Sequence, residues 1–331
     1  MYNNYYQNAA FINSRGNTYN HLARMQMAQE YFKRLSMNNS YPNFVVENKP
    51  YSGHQSKTFV AKENQKLLIV RHGERVDSYF GPIWIQNSFN KDGEYVRSDA
   101  NMPRNLIYRE NPYEFEFDPP LTENGLNQAR IHGEELAKTG IRIKYMYSSP
   151  ALRSIQTADK ILEGMGLKDK VPIRIEIGLF ELLSWQMYVP NKYPWIDKIN
   201  LKNFGYNIDI HYKPFIVYEN LKRDETIYDY YQRSHYVAKK ISEQHDDGHI
   251  MFVGHAPSLE GISRLFTGEY MRTVDEFAAI TRRIPFLSIA HCEKDQTGKW
   301  RLTPLLSSYE KLQKDRSFKV NVNRPVYHGY Q

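Results

Sequence analysis

Three short, largely apolar runs in this chain each break directly into basic and histidine side chains, and that repetition constrains the fold more than any other feature. Leu67-Leu68-Ile69-Val70 leads into Arg71-His72-Gly73-Glu74-Arg75. Ile143 to Tyr147 leads into Ser148-Ser149-Pro150-Ala151-Leu152-Arg153, and His249 to Val253 into Gly254-His255-Ala256-Pro257. A continuous apolar run of this length suits a strand buried on both faces. Between the runs lie helical periods. Thr122 to Lys138 is one, a second opens at Pro150 and runs to about Gly164, a third spans Asp224 to Gln244, and a fourth has Pro257 in its first turn. Strands alternating with helices fold as crossover units, so the expectation is an α/β domain with a mainly parallel central sheet flanked by helices in three layers.

The remaining segments fit around that frame. Ile173 to Ile177 reads as a further strand and Phe286 to Cys292 as an edge strand. The stretch from Met187 to Asn220 is aromatic, Pro-containing and irregular, and is expected to be an insertion over one end of the sheet. Residues 1–58 are rich in Asn, Tyr, Gln and Ser and read as a largely disordered tail. Within it Leu22, Met25, Phe32 and Leu35 share a helical stripe, which predicts a short helix over 20–37 with Asn20 as its N-cap. Residues 59–331 are then one domain, in keeping with what 331 residues accommodate.

A net charge of +7 favours anionic partners, but Lys and Arg are scattered without a basic block, as on an ordinary solvated surface. With no glycine-rich phosphate loop and no recognition-helix pattern, a nucleic-acid partner is not expected. The single cysteine, Cys292, forms no internal disulfide and fits a reducing compartment. Neither a leader peptide nor an uninterrupted apolar span is present, so a cytoplasmic protein without a membrane partner is expected. The eleven histidines show no HxH or HExxH spacing, and neither a metal nor a cofactor is expected.

The chemistry follows from where parallel strands end. Ligands in open α/β sheets bind beyond the carboxyl ends of the strands, where loops enter helices. Parallel strands would bring Arg71, His72, Arg75, Arg153 and His255 to one rim. Cations gathered there repel one another and call for an anion. A guanidinium fork matches phosphate oxygens bidentately, and helix N-termini at Pro150 and Pro257 would add partial positive charge and N–H groups. His72 is a candidate nucleophile if a backbone carbonyl near Gly73 fixes the proton on its other ring nitrogen. The leaving oxygen needs a proton donor, and Glu181, just after the strand at 173–177, is well placed. From the residues alone Glu74 and Glu176 are equally available. Arg-His-Gly by itself recurs by chance, and the argument rests on the three clusters in order. A catalytically weak, phosphate-binding regulatory module would use the same cluster without turnover.

The run from Leu67 to Arg75, with Ser149-Pro150-Ala151-Leu152-Arg153-Ser154-Ile155-Gln156-Thr157-Ala158 and Gly254-His255, resembles the histidine phosphatase superfamily, whose fold is called phosphoglycerate mutase-like. Arg71 to Asp77, Asp118-Pro119-Pro120-Leu121-Thr122, Gly140-Ile141-Arg142-Ile143, Phe180-Glu181, Asn207-Ile208-Asp209 and Arg283-Ile284-Pro285 narrow the likeness. They resemble the phosphatase domain of the suppressors of T-cell receptor signalling and the insect ecdysteroid-phosphate phosphatases, over about residues 66–305. The resemblance implies that His72 becomes a phosphohistidine and that Arg71, Arg75, Arg153 and His255 bind the phosphoryl group. It also implies that Glu181 is the proton donor, with His72 and His255 as its catalytic companions. The activity implied is metal-independent hydrolysis of a phosphomonoester, in a tyrosine-phosphorylated protein or a small molecule such as a steroid phosphate. A homodimer is compatible with it, although the stretch after about Leu305 departs from the family's closing segment. The glycolytic mutase signature is absent. The Tyr/Asn-rich tail stands where the mammalian proteins carry ubiquitin-associated and Src-homology domains, so ubiquitin binding is not expected.

Overall fold

The computed structural model describes residues 64–303 except 187–189 and 191. The chain divides into the units Met1–Ala61 and Lys62–Gln331, and all described residues belong to the second. The expected tail, its helix over 20–37 and the stretch after Leu305 lie outside the described residues.

The strands are β1 (Lys66–Arg71), β2 (Ile143–Ser148), β3 (Ile173–Ile175), β4 (His249–Gly254), β5 (Ile289–Lys294) and β6 (Trp300–Thr303), arranged β3-β2-β4-β1-β5-β6 in one sheet. β1, β2, β3 and β4 run parallel, while β5 is antiparallel to β1 and β6 to β5. The helices are α1 (Val76–Phe80), α2 (Trp84–Ser88), α3 (Glu123–Lys138), α4 (Leu152–Gly164), α5 (Lys198–Asn203), α6 (Ile227–Glu243), α7 (Ala256–Phe266) and α8 (Val274–Thr281).

Successive strand side chains point to opposite faces, so each apolar run feeds two cores. Leu68 and Val70 of β1 join Met251 and Val253 of β4 against Ala129 and Leu136 of α3 and Ile155, Ala158 and Ile161 of α4. Leu67, Ile69, Ile250 and Phe252 face the other way, onto Val237, Ala238 and Ile241 of α6 and Leu259 and Ile262 of α7. That is the expected mainly parallel, three-layer sheet. The register sets its functional rim: Arg71 lies beside Gly254, and Val253 beside both Val70 and Ser148. The carboxyl ends of β1, β4 and β2 are therefore level. No helix among the described residues is long and apolar enough to cross a membrane.

Several local expectations change. Pro150 lies outside its helix, because α4 starts at Leu152 with Ala151 as N-cap. The strand over 173–177 stops at Ile175, where Glu176 accepts a hydrogen bond from Gly178 N (2.9 Å) and turns the chain into a single 3-10 turn. The expected edge strand is β5, and it is flanked on both sides, by β1 and by the four-residue β6. Trp-Arg-Leu-Thr is too short and mixed to announce β6 in sequence. The expected irregular stretch to Asn220 includes regular elements among its described residues. Asp197 caps α5 by accepting from Ile199 N and Asn200 N, and Ile208 forms a parallel bridge to Ile173, extending the sheet edge.

α3 and α4 approach so closely that glycine is needed on both. A Cβ on Gly133 would sit 2.2 Å from Ile161 O, and one on Gly164 1.9 Å from Arg130 O. Alanine normally favours a helix by about 1 kcal/mol over glycine, but overpacking two backbones costs about 1–3 kcal/mol. Gly133→Ala and Gly164→Ala are each expected to lower the urea midpoint of unfolding with the slope unchanged. A midpoint at or above the parent's would show that the helices can separate without cost.

Candidate active site

The three strand ends place the cationic and imidazole groups as follows. Arg71 closes β1, and His72 N donates to Gly254 O (2.9 Å), which ties the two loops at their start. Gly73 N donates to Thr157 Oγ1 (3.0 Å), and that hydroxyl donates to Arg153 O (2.7 Å), so the β1 loop is fastened to the first turns of α4. His72 is 2% exposed, and its ring lies 5.4 Å from that of His255, edge to face at 70°. Its Nδ1 is 2.9 Å from Gly73 O. A carbonyl only accepts, so Nδ1 carries the proton and the Nε2 lone pair is left for chemistry.

His255, fully buried, is the N-cap residue of α7, where its N–H donates to Ser258 Oγ (3.0 Å). Its Nδ1 lies 3.3 Å from Arg153 Nη2 and its Nε2 2.9 Å from Ser149 Oγ. A guanidinium only donates, so Nδ1 accepts and Nε2–H donates to Ser149. Arg153 also donates to Glu181 Oε2 (2.9 Å), which is 3.7 Å from His255 Nδ1. Arg71 donates to Ile284 O and stacks on the Phe286 ring at 4.2 Å. Arg75 is gripped through Nε and Nη2 by Asp77 (2.9 and 2.6 Å). Nε of both Arg71 and Arg153 is buried without a hydrogen-bond partner, which is what donors waiting for an anion look like. Next to this cluster Leu287 adopts φ 60°, a left-handed conformation that costs a residue with a Cβ about 1–2 kcal/mol. It lets its N–H approach His72 O (3.4 Å) while Phe286 reaches Arg71.

The six sequence-predicted residues therefore converge, and geometry separates the carboxylates that sequence left equivalent. Glu74 is buried as a fastener, accepting from Thr122 Oγ1 (2.7 Å) and Asn101 Nδ2 (3.3 Å). Glu176 is fully buried and saturated by Gly178 N, Tyr212 OH, Phe215 N and Ile216 N. Burial pushes its pKa up while those donors oppose the rise. Only Glu181 of the three touches the histidine and arginine cluster. One expectation is corrected. The N-terminus of α4 does not offer its first N–H to a ligand, because Asp118 Oδ1 accepts from Leu152 N (2.7 Å). A carboxylate at a helix N-terminus satisfies that donor and the dipole at once. Asp118 is itself held by buried Arg109 (2.7 Å). Sequence reasoning missed Ser149 and Thr157 as site residues. Thr157 sits four residues after Arg153 on the same helix face, a spacing that could have revealed it.

The electrostatics follow from this packing. Burial, then Arg153, His255, Arg71 and Arg75, hold the His72 pKa well below 6.5. Burial, then Arg153, Arg75, Arg71 and Arg233, do the same for His255. Arg71 is lowered to about 10 by burial and by Arg75, and stays charged. Both imidazoles are therefore neutral at neutral pH, as a nucleophile requires.

Residues 108–296, more than half of the chain, match the family described as the histidine phosphatase superfamily (branch 1). The matched stretch contains Arg153, Glu181 and His255 and begins downstream of His72. Ubiquitin-associated and SH3 domain-containing protein A of Mus musculus is 38% identical over 240 residues, 71% of this chain and 38% of that protein. Ecdysteroid-phosphate phosphatase of Drosophila melanogaster is 37% identical over 244 residues, 72% of this chain and 32% of that protein. The chain thus spans about a third to two-fifths of the length of these curated relatives. The crystal structure of the ecdysone phosphate phosphatase of Bombyx mori in complex with tungstate superposes with a TM-score of 0.63 at 29% identity, covering 72% of this chain and 92% of that one.

The neutral histidines leave a mark on stability. Below pH 6.5 the unfolded chain takes up protons that folded His72 and His255 refuse, so stability falls as pH drops from 6.5 toward their lower folded values. Each such group contributes up to about 1.4 kcal/mol per pH unit. His132, pushed by burial to about 4, adds to the same trend. Urea midpoints measured from pH 7.5 to 5 are expected to fall, and to fall less steeply in a His72→Gln/His255→Gln variant. An equal slope in both proteins would show that these imidazoles titrate normally.

Proposed function

This chain belongs to the histidine phosphatase superfamily, and from that premise we propose that it is a phosphomonoester hydrolase working through a phosphohistidine on His72. The observation that carries the reading is the meeting of Arg71, His72, Arg75, Arg153, Glu181 and His255 at one rim, from four separate stretches of sequence. His72 Nε2 attacks phosphorus in line, forming the N–P bond as the ester P–O bond breaks. Gly73 O holds the opposite ring proton throughout. The phosphoryl oxygens are met by guanidinium groups, which supply positive charge without a metal ion. An incoming dianion competes with Glu181 for Arg153, so Glu181 leaves the guanidinium, takes up a proton from solvent and turns toward the leaving oxygen, to which it gives that proton. In the second half Glu181 takes a proton from water as its oxygen attacks the phosphohistidine, and His72 is restored.

The substrate class we propose is a phosphate ester with a bulky apolar or aromatic leaving group, either phosphotyrosine in a protein or a steroid-like phosphate. The name of the ecdysteroid-phosphate phosphatase relative supports the steroid-like alternative, and an aromatic wall beside the cluster suits either. Phe180 packs at 5.6 Å on His255, and Tyr193 and Trp195 stack at 5.2 Å and abut Phe180.

Nitrophenyl phosphate is expected to turn over in the presence of a chelator. Labelled substrate should leave a base-stable, acid-labile phosphoenzyme that is absent from His72→Ala. Label retained in that variant would remove His72 from the role. Glu181→Gln is expected to slow hydrolysis of alkyl phosphates by about 10²- to 10⁴-fold and of nitrophenyl phosphate far less, because nitrophenolate departs without a proton. Equal losses would assign the acid to another group.

A further inference from the structure

We propose that Arg233, in a buried pair with Glu225, is a positioning residue that fixes the backbone carrying Glu181. The inference rests on the assignment of Glu181 as proton donor made above.

Arg233 lies on α6, away from the strand-end loops in sequence, and is 8% exposed. Its guanidinium spends every N–H it has in one place. Nε donates to Glu225 Oε1 (2.6 Å) and Nη2 to Glu225 Oε2 (2.7 Å). Nη1 donates to Gly178 O (2.8 Å) and Phe180 O (3.0 Å), and Nη2 also reaches Glu181 O (3.3 Å). Glu225, 2% exposed, closes the loop from the other side by accepting from Leu183 N (3.4 Å). The turn holding Glu181 is thereby pinned at residues 178, 180, 181 and 183 by one ion pair.

A buried ion pair is a costly way to join a helix to a loop, since well-packed apolar residues achieve as much or more stability. What it supplies is geometry. Five donors in a planar fork fix several carbonyls at once, which neither an apolar contact nor a lysine can do. The need is local. Glu181 is a quarter exposed at its side chain, and in the described structure its carboxylate is drawn to Arg153 at 2.9 Å. A backbone free to follow that attraction would carry the carboxylate away from the leaving oxygen. A displacement of about 1 Å at a reacting group is worth about 10²-fold in rate. Arg233 makes its hydrogen bonds to Glu225 and to the backbone at 178, 180 and 181, so its geometric influence passes through the Glu181 turn.

The charge of Arg233 is also felt at His255, so the informative variant keeps the charge and removes the fork. Arg233→Lys in the full chain is expected to lower kcat for an alkyl phosphate by about 10- to 100-fold, with nitrophenyl phosphate reduced by less than about 3-fold. Vanadate affinity should stay close to that of the parent. In Arg233→Lys/Glu181→Gln, alkyl phosphate turnover should be no lower than in Glu181→Gln alone, because both changes disable one step. Equal losses on the two substrates, or losses that multiply in the double variant, would overturn the positioning role. Glu181→Gln measured alongside separates the two ideas. Selective loss there with uniform loss in Arg233→Lys sinks only the clamp, whereas uniform loss in Glu181→Gln sinks the acid assignment beneath it. If circular dichroism shows Arg233→Lys unfolded, Glu225→Gln, which loosens the same fork while leaving the arginine, is decided by the same comparison.

Discussion

Everything in this domain is arranged around positive charge held against two imidazoles that must stay neutral. Arg71, Arg153 and Arg75 are close enough to depress the protonation of His72 and His255, and burial is the largest single cause of that effect. Such a cluster is tolerable only because carboxylates and carbonyls are distributed through it. Asp77 grips Arg75, Glu181 meets Arg153, Ile284 O receives Arg71, and Asp118 stands 4.0 Å from Arg153. Even so, two arginine Nε groups are left with nothing to donate to. The protein has neutralised enough charge to fold and left enough directed donors to hold a dianion.

The carboxylates divide by what surrounds them. Glu74, Glu176 and Glu225 are buried and hydrogen-bonded, and each fastens a loop: the β1 loop to the start of α3, the turn after β3 to the segment at 212–216, and the Glu181 turn to α6. Glu181 alone among them is partly exposed and faces the histidines. The rigid fasteners make sense together with the mobile chemistry. Arg233 holds the backbone at Phe180 and Glu181 through their carbonyls and makes no hydrogen bond to the Glu181 carboxylate, as the proposed proton donor would require.

Much of this was legible in the order of residues, for physical reasons that differ by element. Strands buried on both faces are largely apolar, so β1 and β4 are legible directly, and β2 in spite of its exposed Lys144, and with them the loops that follow. Thr122 caps α3 at its expected start, because helix starts are encoded by side chains adjacent in sequence, whereas α6 begins after its cap Thr226 rather than at the expected Asp224. β6 and the short helices α1, α2, α5 and α8 were not anticipated. Their segments are too brief for periodicity, and they are ordered by contacts with the rest of the domain. β5 was placed at the edge because nothing in Trp300 to Thr303 marks a strand until Cys292 and Leu302 lie side by side.

The sequence by itself determined which side chains gather: an apolar run followed by Arg71 and His72, another by Arg153, a third by His255, all of which parallel pairing must bring to one rim. The family resemblance pointed to Glu181, but from the residues themselves only tertiary structure decides which carboxylate joins them. Glu74, Glu176 and Glu181 all follow strands within a few residues. What separates them is whether distant donors saturate them, as Tyr212, Phe215 and Ile216 do for Glu176, or leave them facing an imidazole. Hydrogen-bond partners drawn from remote parts of the chain have no signature at the residue that receives them. The same is true of Asp118 at the start of α4 and of Arg233 behind Glu181, whose roles exist only once the helices have packed.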